Sequence, residues 1–389
     1  MKKILFSLSV FLMFLSSSAL AEKSNYHPGD KKNCPPRFHP YLDATGEFAF
    51  PPIDIRAAKK AAEALERAKA SIFEMGNVVS YRDIGNRRGN NEYLQKCKSS
   101  YENLFDDNTL KIDIFYGYMD HMESYEPDED YAKHARFGVV DQFHREALAK
   151  RLLFPCPSRE FFACGFRRAS SPLEDADKLT KRIRGPDGAY KYVEITIMNA
   201  AFSPSDKANN PYFIRSLLGL VKCSKQQRAK SAEIAEAFLE SLETADVVLY
   251  TAHSRSGRGL AFYPIPAKTN EPASWRITGG DIDTYLDKRK MFKTLRSGSP
   301  KLFGLYSCST KENYGMDIFD KTHGGTGLIL TNDKSDFRDS TKNIYITLNS
   351  ILGLQCGLGT QKAMNSNLTM PDTGYRIYGF GGFGFDGLE

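Results

Sequence analysis

The residues of this chain best suited to chemistry are His253 and Cys308, because each follows a short apolar run of the same kind. The run Asp246–Tyr250 leads to His253, and the run Lys301–Tyr306 leads to Cys308. Each run is too short for a helix and is bounded by polar or small residues, so each predicts a buried strand. Parallel strands of an open sheet end at a common carboxyl edge, where ligands bind. If the two strands are neighbours, an imidazole and a thiol meet there, which is what a cysteine nucleophile and its base require.

The chemistry expected of this pair is proton transfer coupled to attack by sulfur. A free thiol titrates near ~8.5, so few thiols are ionised at neutral pH unless a base or cation lies close. His253 would hold the proton and later deliver it to a leaving amine. Taken singly, His253 also fits a structural histidine and Cys308 a small buried hydrophobe or half of a disulfide. Their matched positions favour a catalytic dyad.

Charged residues follow the same strands and are candidates for substrate binding. Arg255 and Arg258 lie in the loop SRSGRG directly after His253 and would suit an acidic substrate group, although this loop also fits a solvated turn. Asp333 and Asp336 follow the strand after Cys308 and would suit Lys or Arg in a substrate. The sequence leaves both preferences open.

The N-terminus has the pattern of an export signal. Lys2 and Lys3 precede an apolar stretch, and Ala19–Ala21 is a small-residue cleavage site. We therefore expect residues 1–21 to be a signal peptide and the mature chain to be exported, to the periplasm or beyond the cell. No later segment is apolar enough to cross a bilayer, so no transmembrane segment is expected in the mature chain.

The cysteine content agrees with export. The seven cysteines permit disulfides in an oxidising compartment, and the odd number leaves at least one thiol without a partner in the chain. We expect that thiol to be Cys308. No spacing gives a CxxC pair, so no structural zinc site is expected, and the dyad needs no metal or organic cofactor.

The charge balance points away from nucleic acid. The formal net charge is +6, or +4 once Lys2 and Lys3 are removed with the signal peptide, and the basic residues are scattered along the chain. The partner expected from the dyad is a polypeptide substrate.

The order of predicted elements indicates an α/β protein. From about residue 160 onward, strands alternate with helices at a spacing typical of crossover units, which implies a mainly parallel sheet with helices on both faces. The predicted helices are Ile55–Met75, Val140–Leu153, Leu173–Ile183, Ser231–Leu242, Asp281–Leu295, Tyr314–Asp320 and Asn343–Leu354. The predicted strands, besides those before His253 and Cys308, are Thr109–Tyr118, Glu160–Phe166, Tyr192–Met198, Gly327–Leu330 and a final edge strand within Tyr375–Phe385.

The segments DVVLYTAHSRSGRG and KLFGLYSCS resemble the strand endings of cysteine peptidases with the caspase-like fold, which include caspases, metacaspases, clostripain and the gingipains. In that family one strand ends in a catalytic His, and the next strand in sequence ends in a catalytic Cys. The resemblance implies that His253 is the base, that Cys308 is the nucleophile, and that the backbone N–H groups of Ser254 and Cys308 form the oxyanion hole. Ser254 stands where the family usually has Gly, which would be unfavourable if that turn required a positive φ.

The resemblance covers roughly residues 160–355 as topology. We expect residues 22–155, after the signal peptide, to be an N-terminal, α-rich accessory region and residues 156–389 to be the caspase-like α/β domain. The sequence leaves open whether the N-terminal region is a separate domain, a propeptide or packing around the core. The predicted function is an exported cysteine-dependent peptidase. The alternatives are a catalytically inactive relative used as a binding or scaffold protein, and a hydrolase or acyltransferase that uses the same dyad on a non-peptide substrate.

Overall fold

A computed structural model gives the architecture. It describes residues 55–74, 92–118, 139–171, 173, 176–201, 221–254, 257–263, 285–296, 299–370 and 373–388. The predicted signal peptide, Arg255 and the first residues of the predicted helix Asp281–Leu295 lie outside these ranges.

Eight strands of the described chain form one sheet. Its order is β10-β9-β8-β5-β1-β4-β3-β2, and a separate two-stranded ribbon joins β6 to β7. The strands are β1 (Thr109–Tyr116), β2 (Arg167–Ala169), β3 (Asp177–Arg184), β4 (Tyr190–Asn199), β5 (Val247–Thr251), β6 (Gly259–Leu260), β7 (Leu286–Asp287), β8 (Leu302–Leu305), β9 (Gly327–Thr331) and β10 (Tyr375–Tyr378). The five neighbours from β9 to β4 run parallel, while β10, β3 and β2 pair antiparallel at the two sides.

Helices cover both faces of this sheet. They are α1 (Ile55–Glu74), α2 (Glu92–Leu104), α3 (Val139–Leu153), α4 (Val221–Thr244), α5 (Lys288–Thr294), α6 (Met316–Thr322), α7 (Phe337–Gly353) and α8 (Gly357–Asn365), with a π-helix (Lys311–Gly315) directly before α6. Side chains of α1, α2, α3, α7 and α8 share one apolar cluster with one face of the sheet. Side chains of α4, α5 and α6 share the second cluster with the other face. The predicted α/β class, with a mostly parallel sheet between helical layers, is confirmed at this level.

The central strands form because both of their faces are buried. Every residue of β5, β8 and β9 is buried, and successive side chains enter opposite clusters, as the period of two requires. In β5, Leu249 packs in the first cluster and Val248 in the second. Such strands read as continuous apolar runs, which is why the segments before His253 and Cys308 could be predicted.

Two predicted elements near the start of the α/β region are wrong. Glu160–Phe166 is irregular instead of a strand, and much of Leu173–Ile183, predicted as a helix, belongs to strand β3. The Gly-Pro-Asp-Gly segment at 185–188 joins β3 to β4 as a hairpin, with Gly188 at a φ of 77° and its N–H donating to Gly185 O at 3.1 Å. Antiparallel pairing along all of β3 therefore outweighs the helical composition of the segment. Within the predicted helix Asp281–Leu295, Leu286–Asp287 is likewise a strand, and the helix begins at Lys288.

The sheet differs from the predicted division at residue 155. Strand β1, from the predicted accessory region, lies in the middle of the sheet and pairs in parallel with β4 and β5. Tyr101 of α2 is fully buried and donates a hydrogen bond to Gln355 O at 2.6 Å. The described residues before 155 thus complete the same core as those after it.

Among the residues that the structure describes, two disulfides reinforce this core. Cys97 in α2 is bonded to Cys356, which caps α8, and Cys156 is bonded to Cys164. Among the described helices, none is both long and apolar enough to cross a membrane.

Candidate active site

The strands that carry His253 and Cys308 are neighbours. Strands β5 and β8 pair in parallel, with Val247 opposite Leu302 and Tyr250 opposite Leu305. A hydrogen bond of 2.8 Å from Tyr306 N to Tyr250 O extends the pairing beyond the last ladder residue of β8. Beyond the strands, Ser254 Oγ lies 2.7 Å from Cys308 O, so the turns that carry His253 and Cys308 are in contact. The sheet therefore brings the imidazole and the thiol to one edge.

The thiol of Cys308 is free and half-buried. Its Sγ accepts a hydrogen bond of 3.3 Å from Ser335 N and lies 3.8 Å from Ser335 O. Ser335 directly precedes Asp336, the N-cap residue of the 17-residue helix α7. An N–H donor and the positive end of a helix dipole both interact favourably with negative charge on sulfur. This contact cannot be predicted from the sequence, because the predicted helix begins only at Asn343 and a backbone N–H has no sequence pattern of its own.

The backbone of His253 is held at the edge of the sheet. Its carbonyl oxygen accepts hydrogen bonds from Ala261 N at 3.0 Å and from the Tyr250 hydroxyl at 3.3 Å. The side chain of His253 is half-buried. Further along this loop, Gly257 has a φ of 76°, and a Cβ there would lie 2.5 Å from Oδ1 of Asn313. The loop after His253 therefore packs closely against the π-helix that follows Cys308.

The two N–H groups expected in the oxyanion hole are available. Within the part of the chain that the structure describes, the backbone N–H groups of Ser254 and Cys308 donate to no acceptor. Ser254 does not adopt a positive φ, so serine fits this turn without the backbone strain that a positive φ would impose. The positive φ, of 50°, occurs at Ser309 instead. A non-glycine residue in this conformation stores strain directly after the candidate nucleophile, as is common at functional sites.

Ser254 joins the two loops through its side chain and its carbonyl group. Its hydroxyl donates a hydrogen bond of 2.7 Å to Cys308 O, and its own carbonyl oxygen accepts one of 2.9 Å from Tyr314. Tyr314 belongs to the π-helix and is buried, and burial raises its pKa, so the phenol stays a neutral donor. The hydroxyl that distinguishes Ser254 from the usual Gly thus links the loop of His253 to that of Cys308.

We expect Ser254→Ala to lower kcat roughly five- to tenfold for a peptide substrate, because it removes one hydrogen bond worth about 1 kcal/mol between the two loops while keeping the N–H. The measurement is steady-state kinetics. Ser299→Ala is the matched control, since Ser299 Oγ also donates to a backbone carbonyl, Leu242 O at 2.9 Å, but lies before β8 at the opposite sheet edge. Equal kcat values for Ser254→Ala and the control would contradict a role for this bridge.

The two predicted aspartates have different environments. Asp336 is buried and caps α7 by accepting a hydrogen bond of 2.8 Å from Arg338 N. Its carboxylate also accepts two hydrogen bonds from the Arg338 guanidinium. Burial alone would raise the pKa of Asp336, but the hydrogen bonds and charge of Arg338 outweigh it, and the pKa is lowered. Asp336 therefore serves the fold, and the proposed substrate role does not fit its contacts. Asp333 is exposed, and its carbonyl oxygen accepts a hydrogen bond of 2.8 Å from Ser309 N, beside Cys308.

Arg258 is exposed and directly precedes β6, and its carbonyl oxygen accepts a hydrogen bond of 3.5 Å from Lys288 N. Arg255 lies outside the described residues. Of the three described charged residues singled out in the sequence, Asp333 is thus the one whose backbone is hydrogen-bonded to the turn of Cys308.

Comparison with protein-family models, curated proteins and solved structures finds no match to this chain. The functional evidence is therefore the geometry at the ends of β5 and β8. Three features meet there: a free thiol, a histidine on the neighbouring strand, and two backbone N–H groups without acceptors.

Proposed function

We propose that this protein is an exported cysteine-dependent peptidase with a caspase-like arrangement, in which Cys308 is the nucleophile and His253 the base. The observation that carries the proposal is the parallel pairing of β5 and β8, because these neighbouring strands lead at the same edge of the sheet to His253 and to the free thiol of Cys308. The two residues follow consecutive strands of the parallel core in sequence order, apart from the short ribbon between them, which agrees with the resemblance to caspase-like peptidases.

The proposed reaction follows from these groups. His253 takes the proton from Cys308 Sγ as the sulfur attacks the carbonyl carbon of the scissile peptide bond. The oxyanion that forms accepts hydrogen bonds from the N–H groups of Ser254 and Cys308. The C–N bond then breaks, the amine leaves with the proton held by His253, and a thioester remains. Water, deprotonated by His253, hydrolyses the thioester, which releases the acid and restores the thiol.

Two observations favour this reaction over the binding or scaffold alternative. The sulfur of Cys308 is neither in a disulfide nor fully buried, so a substrate can reach it. The two unpaired N–H groups stand at the same turns as the thiol and the imidazole, whereas buried or half-buried backbone N–H groups in a purely structural turn are normally satisfied.

The experiment is a library of peptides that varies the residue before the scissile bond, incubated with the mature protein and read by mass spectrometry of the products. Cleavage that is absent in Cys308→Ala supports the proposal. If no member is cleaved by the wild-type protein, peptide hydrolysis is contradicted. Cysteine-dependent turnover of ester substrates in that case would identify the non-peptide alternative.

Asp333 predicts the preference within that library. Its exposed carboxylate beside the turn of Cys308 would pair with a Lys or Arg side chain of the substrate. We expect peptides with a basic residue before the scissile bond to be cleaved best, and Asp333→Asn to lower their kcat/KM roughly tenfold, because a charge-assisted hydrogen bond is lost. Asp336→Asn is the contrast: it should lower the stability without changing the preference. A preference for acidic residues would contradict this assignment and point to Arg258.

A further inference from the structure

We infer that the buried hydroxyls of Tyr250 and Thr331 are positioning groups for the oxyanion hole. This inference rests on the proposed peptidase reaction and extends it to two residues that touch neither substrate nor nucleophile. Each hydroxyl binds the carbonyl oxygen of one of the two peptide units whose N–H groups lack acceptors. A trans peptide is planar, with its C=O and N–H directed to opposite sides, so fixing the carbonyl group also fixes the N–H.

The N–H of Ser254 belongs to the peptide unit that begins with the carbonyl group of His253. That oxygen accepts a hydrogen bond from Ala261 N, and the single proton of the Tyr250 hydroxyl is shared between it, at 3.3 Å, and Ala261 O, at 3.0 Å. Tyr250 is fully buried in β5, with its ring packed against Phe238 and Phe262. A rigid aromatic side chain therefore holds this peptide unit from inside the core and leaves its N–H directed away from Ala261.

The N–H of Cys308 belongs to the peptide unit that begins with the carbonyl group of Ser307. That oxygen accepts a hydrogen bond from the Thr331 hydroxyl, at the end of β9. Thr331 Oγ1 in turn accepts a hydrogen bond of 3.2 Å from Thr310 N. The Thr310 hydroxyl accepts a hydrogen bond of 2.9 Å from Thr331 N and donates one of 3.0 Å to Leu305 O. Thr310 and Thr331 are both fully buried.

These contacts account for polar groups that the core would not otherwise need. A buried hydroxyl costs free energy unless it is hydrogen-bonded, and the hydroxyls of Tyr250, Thr310 and Thr331 each contact backbone carbonyl groups of the segments that carry His253 and Cys308. Tyr250 and Thr331 lie at the carboxyl ends of β5 and β9, on either side of β8, so the two hydroxyls flank the strand that leads to the nucleophile. The two hydroxyls thus keep the N–H groups of Ser254 and Cys308 in place before the oxyanion forms, which is the condition for stabilising the oxyanion.

The experiment compares Tyr250→Phe and Thr331→Val, which remove only the hydroxyl groups, with the wild-type protein. We expect each to lower kcat for a peptide about 10- to 100-fold, since losing an oxyanion donor outright costs about 10²- to 10³-fold. KM should change little. The rate at which iodoacetamide alkylates Cys308 should also stay within about twofold, because displacement at a saturated carbon forms no oxyanion. Thr331→Ser, which keeps the hydroxyl, should recover most of the turnover.

Tyr101→Phe and Thr322→Val are the matched controls. Both remove a buried hydroxyl that donates to a backbone carbonyl, Gln355 O in the first case and Ile318 O in the second, in elements that do not carry the site. The inference is overturned if the site variants keep the kcat of these controls, or if alkylation of Cys308 slows as much as kcat. Should Thr331→Val fail to fold, as judged by circular dichroism, Tyr250→Phe alone decides. A wild-type protein that cleaves no peptide defeats the proposed function itself, and the inference with it, whereas an active wild-type protein with unaffected variants defeats only the inference.

Discussion

Cys308→Ala is expected to abolish peptide hydrolysis, and His253→Asn to lower kcat by about 10²- to 10⁴-fold. The first substitution removes the sulfur that forms the thioester in the proposed reaction. The second removes the group that takes the thiol proton and returns it to the leaving amine, and general acid–base catalysis contributes about this much to a rate. The measurement is kcat and KM on the best peptide from the library, with the mature protein free of reductant carried over from purification.

His323→Asn is the matched control for His253→Asn. His323 is exposed and ends α6 in a left-handed conformation, with a φ of 51°, which asparagine tolerates well. It lies before β9, at the opposite edge of the sheet from Cys308. We expect the control to keep wild-type kinetics. Residual peptide hydrolysis in Cys308→Ala, or equal rates for the two histidine variants, would contradict the dyad.

Removing the disulfide between Cys97 and Cys356 is expected to lower the free energy of unfolding by about 4–5 kcal/mol. The two cysteines are 259 residues apart, so the bond closes a long loop and greatly restricts the unfolded chain. The bond between Cys156 and Cys164 closes a separation of only eight residues and should contribute about 2–3 kcal/mol. The double variants Cys97→Ser/Cys356→Ser and Cys156→Ser/Cys164→Ser form a matched pair.

Equilibrium denaturation in urea measures both double variants, with far-UV circular dichroism and intrinsic fluorescence as separate probes. The bond between Cys97 and Cys356 also joins α2, from the region before residue 155, to the start of α8. Its loss should therefore destabilise the whole sheet in one transition. A smaller effect for this pair than for Cys156 and Cys164, or a separate early transition of α2, would contradict the single core described here.

The strands of the site could be predicted because strands that are buried on both faces have a recognisable sequence pattern. The residues of β5 and β8 are buried on both faces, so each strand is a short continuous apolar run followed by a polar or small residue. Long amphipathic elements such as α1 were equally clear. What these patterns could not give is strand order, because pairing depends on contacts between segments far apart in the chain. The central position of β1 was missed for this reason.

The errors have local physical causes. The region of β3 contains many charged side chains and, over several residues, no Gly or Pro, which favours a helix. Pairing with β4 nevertheless decides the conformation. The sequence predicts a substrate contact at Asp336 because it follows β9, whereas the structure shows it as an N-cap, a role that acidic residues directly before a helix often have. Backbone groups such as Ser335 N, and hydroxyls such as those of Tyr250 and Thr331, act through positions that only the folded chain defines.

The most direct test of the central claim, that an imidazole activates the thiol at the edge of the sheet, is the alkylation rate of Cys308 in the native protein. Iodoacetamide is added without reductant, and the labelled peptide is quantified over time by mass spectrometry in the wild-type protein and in His253→Asn. We predict rapid labelling of Cys308 in the wild-type protein and labelling at least about tenfold slower in His253→Asn. Labelling of Cys308 only after denaturation, or at the same rate in both proteins, would contradict the account.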